Sequence, residues 1–268
     1  MSNLLYDSLF GFHVENDKPF LTYYDGSYIS YDAFLRMASR FANVIKAAGL
    51  AAGDRLAVQV EKSPEALGIY AACVQSGVIF LPLNTAYKPA EVDYFIENSQ
   101  PSLFISNYES IKNISNRNIN TAQLENDLSG PFLEKVKSQK DIFEPIKRDK
   151  DDIASILYTS GTTGRSKGAM LTHNNLVSNT KSLLKIWKFS DKDVLLHALP
   201  IYHIHGLFVA FNICILSGAK INFIEKFEIE KVIEKLPIST VMMLSLIHIS
   251  EPTRRRGISY AVFWLKKK

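Results

Sequence analysis

Residues 158–173 read YTSGTTGRSKGAMLTH, and this stretch decides the fold that we expect for the chain. It follows residues 152–158, whose pattern is typical of a strand, and it precedes residues 174–187, whose apolar side chains recur at helical spacing. A glycine-rich loop between a strand and a helix is typical of the ligand-binding edge of an open α/β sheet. The stretch therefore predicts an α/β protein with a binding site at this loop.

The composition of the loop suits a phosphate group. Glycines let the backbone approach an anion closely, so that several N–H groups can converge on it. Hydroxyl side chains add donors without bulk, and Lys167 adds a full positive charge. A hydrogen bond that involves a charged group contributes roughly 1.5–3 kcal/mol, so a few of them would hold a polyphosphate.

Better-known motifs do not fit this loop. A Walker A loop needs a glycine directly before its lysine, and Ser166 stands there before Lys167. This mismatch, together with the lack of an acidic motif placed to hold a metal, disfavours a P-loop phosphotransferase. Thr163 breaks the dinucleotide fingerprint GxGxxG, and Tyr158 breaks the nucleophile elbow GxSxG. A solvent-exposed loop without a ligand is the remaining alternative, which the density of donors disfavours.

Strand and helix patterns alternate along most of the chain, which favours mostly parallel sheets with helices on both faces. Residues 107–150 are rich in asparagine and are predicted to be peripheral structure and loops, with one helix at 132–137, and a linker is the alternative. The other predicted helices begin at residues 30, 63, 89, 174, 206 and 229. The predicted strands are residues 55–60, 79–83, 102–105, 152–158, 193–199, 219–224 and 240–243.

The composition is that of a globular protein, and the distribution of charge argues against a protein that binds nucleic acid. With 268 residues, 47% of them hydrophobic and 22% charged, the chain has the composition of a globular protein. The net charge of +4 comes from residues 245–268, because the other residues hold 25 basic and 26 acidic groups. We therefore expect no nucleic-acid partner.

The cysteine content and the hydrophobic pattern indicate the cellular compartment in which we expect the protein. Cys73 and Cys214 stand far apart in apolar runs, so we expect small core residues rather than a disulfide or a structural zinc site. Residues 207–216 are too few to span a membrane, and no signal-peptide pattern is visible at the N-terminus. The prediction is a cytoplasmic protein without a membrane span.

Three histidines lie close together in the segment HALPIYHIHG, residues 197–206. Such a cluster can bind zinc, but no carboxylate or cysteine accompanies it at close spacing, so we predict no metal ligand here. A purely structural role is a second possibility, chiefly for His197.

Residues 158–173 resemble the signature loop of the adenylate-forming superfamily, which includes acyl-coenzyme A synthetases, adenylation domains of peptide synthetases and luciferases. The resemblance implies the N-terminal large domain of such an enzyme, in incomplete form, with stacked, mostly parallel sheets flanked by helices. It implies that the loop contacts the β- and γ-phosphates of ATP, and that Thr163 and Lys167 take part in catalysis. The residues implied to bind the nucleotide are Thr159, Ser160, Gly161, Thr162, Thr163, Gly164 and Lys167.

The histidine segment resembles a second motif of that family, in which proline precedes an aromatic–histidine pair. His203 matches the family histidine and is implied to contact the acid substrate, whereas His205 departs from the common pattern and would add a polar group to the pocket. Residues 81–87, 91–95 and 195–210 together are similar to malonyl-coenzyme A synthetases. Malonate or another small acid is therefore the expected substrate, and a medium- or long-chain fatty acid is the alternative.

The resemblance implies an acid–thiol ligase that uses ATP, Mg²⁺ and coenzyme A. The carboxylate would attack the α-phosphorus of ATP, pyrophosphate would leave, and the thiol of coenzyme A would then displace AMP. Charge on the phosphate oxygens would be neutralised by the loop and by Mg²⁺.

The resemblance covers residues 4–243 and then stops. We expect residues 1–244 to be part of the AMP-binding N-terminal domain and residues 245–268 to be a non-native tail, with a basic tail for membranes or nucleic acid as the alternative. The family's later motifs for adenine, ribose and the catalytic lysine do not occur in that tail. The expected consequence is a chain that does not turn over as it stands, and a non-catalytic nucleotide-binding fragment is the second functional hypothesis.

Overall fold

A computed structural model of the chain describes residues 2–116, 118–159, 165–245 and 262–266. Five residues predicted to bind the nucleotide lie outside the described residues, as does most of the segment predicted to be a non-native tail. These five are Ser160, Gly161, Thr162, Thr163 and Gly164.

The described strands follow the predicted alternation and add strands at the N-terminus and after the predicted loop. They are β1 (Pro19–Thr22), β2 (Tyr28–Ser30), β3 (Arg55–Gln59), β4 (Ile79–Pro82), β5 (Leu103–Ser106), β6 (Asn120–Gln123), β7 (Ile153–Thr159), β8 (Lys167–Thr172), β9 (Val194–His197), β10 (Lys220–Phe223), β11 (Val241–Ser245) and β12 (Val262–Lys266).

Most helices connect these strands. They are α1 (Leu4–Leu9), α2 (Tyr31–Ala47), α3 (Pro64–Ser76), α4 (Pro89–Ser99), α5 (Tyr108–Asn113), α6 (Pro131–Lys137), α7 (His173–Trp187), α8 (Asn212–Ser217) and α9 (Ile229–Lys235), with 3₁₀ turns at Gly11–His13 and Leu236–Ile238 and a π-helix at His205–Phe211.

The chain divides into two compact units, each built around one sheet. The first unit comprises the residues up to Asn16 together with Asp32–Asn179. Its described strands form a six-stranded sheet in the order β6-β5-β3-β4-β7-β8. All neighbours are parallel except β7 and β8, which pair antiparallel at one edge.

The second unit comprises Asp17–Tyr31 and the chain from Thr180 onward. Its described strands form a six-stranded sheet in the order β12-β11-β9-β10-β1-β2. The four central strands are parallel, and both edge strands pair antiparallel. The predicted α/β class with mostly parallel sheets flanked by helices is therefore confirmed.

The core of the first unit is built on α3, which is buried along nearly its whole length. Ser63 caps its N-terminus by accepting a hydrogen bond from the N–H of Ala66, and Pro64 occupies the first turn. Gly77 ends the helix with a φ of +70°, a conformation that suits glycine. The predicted start of a helix at residue 63 is therefore confirmed, and the buried Cys73 in this helix is the expected core thiol.

One prediction about local structure is wrong, and one alternative is excluded. Residues 167–172, predicted to be loop, form the edge strand β8, because pairing with β7 supplies the backbone hydrogen bonds that the local sequence does not specify. Residues 107–150 are not a linker: they contain α5, β6 and α6, and β6 extends the sheet by pairing with β5. Within the described residues, no helix is both long enough and apolar enough to cross a bilayer.

Candidate active site

The open end of the β7–β8 hairpin brings together two residues that were predicted to bind the nucleotide. Thr159 and Lys167 are register partners at the ends of the two strands, and both are exposed. Residues directly opposite each other in an antiparallel pair point to the same face, with Cβ atoms about 5 Å apart. The Thr159 hydroxyl and the Lys167 ammonium group therefore lie side by side at the open end of the hairpin, one before and one after residues 160–164 in the chain.

The opposite face of the hairpin is fastened to α4. The next pair of register partners is Tyr158 and Gly168, and a Cβ on Gly168 would lie 3.5 Å from two atoms of the Tyr158 ring. The tyrosine ring packs against Phe95 at 4.4 Å between centroids, and its hydroxyl donates to Oδ1 of Asn98 at 2.6 Å. Burial raises the pKa of Tyr158, so the phenol remains protonated and can donate this hydrogen bond.

A second tyrosine of α4 contacts the residues just before Lys167. The Tyr94 hydroxyl donates to the backbone carbonyl of Ser166 at 2.8 Å. The guanidinium of Arg165 lies over the Tyr94 ring, 5.5 Å from its centroid, which is within the range of a cation–π interaction. Sequence reasoning did not single out this tyrosine, because Tyr94 and Ser166 are 72 residues apart in the chain.

In the second unit, the first histidine of the cluster has a structural role. His197 ends β9, is 2% exposed, and its Nε2 donates to the carbonyl of Gly206 at 2.8 Å. This donation fixes the ring tautomer with the proton on Nε2 when the imidazole is neutral. The structural role considered for His197 is therefore the one that the described contacts support.

Gly206 lies where the chain turns closely past the end of β9. A Cβ at this position would lie 2.1 Å from the carbonyl oxygen of Pro200, so only glycine fits without movement of the backbone. The predicted helix at 206–216 is present, but its first part is the π-helix His205–Phe211. π-Helical turns occur frequently at functional sites.

The other two histidines lie at the start of this π-helix. The N–H of His205 donates to Nδ1 of His203 at 3.4 Å, so a neutral His203 carries its proton on Nε2. His205 is 7% exposed, and its Nε2 is buried without a hydrogen-bond partner among the described residues. Burial lowers the pKa of both imidazoles, and the neighbouring His203 lowers that of His205 further. Both rings are therefore neutral donors at physiological pH.

The described residues contain no group of three or more His, Cys, Asp and Glu side chains positioned to hold one metal ion. The phosphate-loop flanks belong to the first unit and the histidines to the second. Each set offers hydrogen-bond donors to an anion, one through an exposed cation and the other through the neutral rings of the half-buried His203 and the buried His205.

Comparison with known proteins matches residues 12–247 to the family model described as AMP-binding enzyme. The chain is 32% identical over 183 residues to a malonate–CoA ligase of Arabidopsis thaliana, a match that covers 66% of this chain and 30% of that protein. It is 30% identical over 207 residues to a feruloyl-CoA synthase of an Amycolatopsis species, covering 76% of this chain and 40% of that enzyme.

Among solved structures, ATP-bound MatB from Rhodopseudomonas palustris is similar, with 41% sequence identity and a TM-score of 0.85. The match covers 90% of this chain and 49% of MatB. The chain thus spans about half of that structure and a smaller share of the two matched ligases.

Proposed function

Because the chain belongs to the family of AMP-binding enzymes, we propose that it is part of an ATP-dependent acid–CoA ligase that acts on malonate or a similar small acid. In the proposed reaction, a carboxylate oxygen of the acid attacks the α-phosphorus of ATP. The bond from that phosphorus to the bridging oxygen breaks, and pyrophosphate leaves. The sulfur of coenzyme A then attacks the acyl carbon, its proton is lost, and AMP leaves.

One observation carries the nucleotide part of this proposal. Thr159 and Lys167 are register partners at the open end of the hairpin, and both side chains are exposed on one face. A hydroxyl next to an ammonium group offers a phosphate two donors, one of them charged. The similarity to ATP-bound MatB supports ATP as the ligand of this hairpin end.

The roles of the intervening residues extend the same proposal. We assign the backbone of Gly161 and Gly164 and the hydroxyls of Ser160, Thr162 and Thr163 to the β- and γ-phosphates. Thr163 and Lys167 would stabilise the charge that moves onto the leaving pyrophosphate. Mg²⁺ would enter with the phosphates of ATP and neutralise part of their charge.

On the acid side, we assign His203 and His205 to the substrate. The buried Nε2 of His205 lacks a hydrogen-bond partner among the described residues, and such an atom costs free energy until a ligand satisfies it. A charged carboxylate needs donors of this kind, whereas the tail of a fatty acid does not. This observation favours a small dicarboxylate over a medium- or long-chain acid.

An anion bound beside these imidazoles would raise their pKa values. Since burial holds both rings neutral in the free protein, binding of a carboxylate would be coupled to proton uptake as the pH falls. The affinity for malonate is therefore expected to increase on acidification.

We further propose that residues 1–244 form part of the AMP-binding domain and that residues 245–268 contribute nothing to catalysis. The family's adenine, ribose and catalytic-lysine motifs do not occur in residues 245–268. Formation of an acyl-CoA product by this polypeptide alone would contradict this part of the proposal.

The nucleotide assignment is tested by calorimetric titration of the chain with Mg·ATP. The Lys167→Ala variant is expected to bind roughly 10- to 100-fold more weakly, the scale of one charged hydrogen bond, and Thr159→Ala roughly 3- to 10-fold more weakly. Lys150→Ala is a matched control, because it removes an equal charge from another exposed position of the first unit. Equal affinities for the Lys167 and Lys150 variants would refute the assignment.

The acid assignment is tested with ¹⁵N-labelled histidine in the same chain. Malonate, acetate and octanoate are titrated separately, and the ring nitrogen shifts of His203 and His205 are followed by NMR. Malonate is expected to shift both rings at concentrations where acetate and octanoate do not. A response to octanoate alone would favour the fatty acid alternative.

A further inference from the structure

Helix α4 contacts both sides of residues 160–164 through tyrosine hydroxyl groups. We propose that Tyr94 is a positioning residue, which holds the backbone before Lys167 so that the lysine meets the phosphates of ATP. This inference rests on the proposed function, since it assumes that the end of the hairpin binds ATP. It adds a residue outside the loop whose role comes from tertiary contacts.

The first attachment lies on the β7 side. The Tyr158 hydroxyl donates to Asn98 of α4 at 2.6 Å, and its ring packs against Phe95 of the same helix. Phe95 is 2% exposed and belongs to the hydrophobic core under the sheet. The residue just before Thr159 is therefore fixed to a buried part of the helix.

The second attachment lies on the β8 side and depends on Tyr94. Its hydroxyl donates to the carbonyl of Ser166 at 2.8 Å, and its ring lies beneath the guanidinium of Arg165. Two consecutive residues, Arg165 and Ser166, are thus held by one side chain. The Ser166 carbonyl belongs to the peptide group that joins Ser166 to Lys167, so its direction fixes where the lysine side chain starts.

The two attachments also contact each other on the same face of α4. The Tyr94 and Tyr158 rings meet edge to face at 6.3 Å, and Tyr94 also contacts Phe95 at 5.5 Å. Tyr94 and Asn98 are four residues apart, so they lie on the same face of α4. One face of one helix therefore contacts both ends of the hairpin, next to Thr159 on β7 and next to Lys167 on β8.

The hydroxyl and the ring of Tyr94 can be separated by substitution. Tyr94→Phe removes the hydrogen bond to Ser166 and keeps the ring under Arg165, whereas Tyr94→Leu removes both. A neutral hydrogen bond is worth a factor of roughly 3 to 10 in an equilibrium constant. We expect Tyr94→Phe to weaken Mg·ATP binding by about that factor, and Tyr94→Leu to weaken it further.

The matched control is Tyr108→Phe, which removes the same hydroxyl from a tyrosine of α5 that is 52% exposed. All three variants and the parent are titrated calorimetrically with Mg·ATP, and their thermal unfolding is measured. Hydrogen–deuterium exchange is followed in the peptides that cover residues 158–168. Tyr94→Phe should speed exchange in these peptides and leave exchange in α3 unchanged, whereas Tyr108→Phe should do neither.

The outcomes separate the inference from the proposed function. A parent chain that fails to bind Mg·ATP overturns the proposed function and this inference with it. A parent that binds, combined with a Tyr94→Phe variant within about twofold of it, overturns the inference alone. Equal exchange at residues 158–168 in parent and Tyr94→Phe also overturns it. A weakened Tyr94→Leu variant with unchanged Tyr94→Phe would show that packing acts and the hydroxyl does not.

Discussion

Substitution of Gly206 by alanine tests how the histidine segment is built. The added Cβ would lie 2.1 Å from the carbonyl oxygen of Pro200, 2.9 Å from its carbonyl carbon and 3.2 Å from Cβ of Leu199. Because ordinary contacts lie near about 3.5 Å, the two backbone segments must separate by roughly 1.4 Å. The nearest atoms belong to backbone, so rotation of a side chain cannot relieve the contact.

Two terms destabilise the variant and one stabilises it. Overpacking of this kind costs about 1–3 kcal/mol, and loss of the hydrogen bond from His197 to Gly206 adds about 1 kcal/mol. Alanine regains about 1 kcal/mol of helix propensity. Since the contact is severe and rigid, the steric term dominates, and we expect the free energy of unfolding to fall by about 2–3 kcal/mol.

Urea unfolding followed by circular dichroism measures this loss, with Gly11→Ala as the matched control. A Cβ on Gly11 would come no closer than 3.3 Å, and to the ring of Tyr6 rather than to backbone, so its effect should stay below about 0.5 kcal/mol. NMR of ¹⁵N-labelled histidine should show a shift of the His197 ring in Gly206→Ala only. A Gly206→Ala variant as stable as the parent would refute the argument that this close approach shapes the site.

Three further outcomes follow from buried groups. Tyr31→Phe should lower the free energy of unfolding by about 1–3 kcal/mol in urea titrations, because the hydroxyl of this buried tyrosine donates to two backbone carbonyls at 2.7 and 3.1 Å. Burial raises the thiol pKa of Cys73 and of Cys214, so neither should react with a thiol reagent until urea unfolds the chain; a rapid reaction in the native state would contradict this. Burial and the nearby positive charge of Arg148 lower the pKa of His173 to about 4. Between about pH 6.5 and pH 4, the unfolded chain therefore takes up a proton that the folded chain does not. Stability should therefore fall by roughly 2–3 kcal/mol over that interval, and the urea midpoint of His173→Gln should depend less on pH than that of the parent.

The parts of the fold that were predicted from the sequence are those that local chemistry specifies. The boundaries of α3 follow from a serine cap, a proline in the first turn and a glycine that can adopt positive φ, all within the helix and its two neighbours. By contrast, β8 is an exposed edge strand whose four leading residues are all exposed. Its residues do not alternate between buried and exposed positions, so only the pairing with β7 defines this segment as a strand.

Some residues of the candidate site could likewise be found from the sequence, and others only from the structure. Thr159, Lys167, His203 and His205 were found from residue type and motif, because their chemistry is visible in the sequence. Tyr94 was not, since the hydrogen bond from its hydroxyl to the Ser166 carbonyl, on which its proposed role depends, forms only when the chain folds. Candidate ligand-binding residues can thus be proposed from a motif, whereas candidate positioning residues emerge only from contacts between residues distant in sequence.

Burial gives the two sets of candidate ligands different electrostatic roles. Lys167 is exposed, so its ammonium group can attract a polyphosphate from solution. His203 and His205 are held neutral by burial, so they offer directional hydrogen bonds without a permanent charge. Under the proposed assignment, such a histidine site would select an acid by the placement of its oxygens and by the proton that binding brings with it. An exposed lysine responds to charge alone, which suits a group as highly charged as a triphosphate, so the proposed assignment leaves discrimination between acids to the histidines.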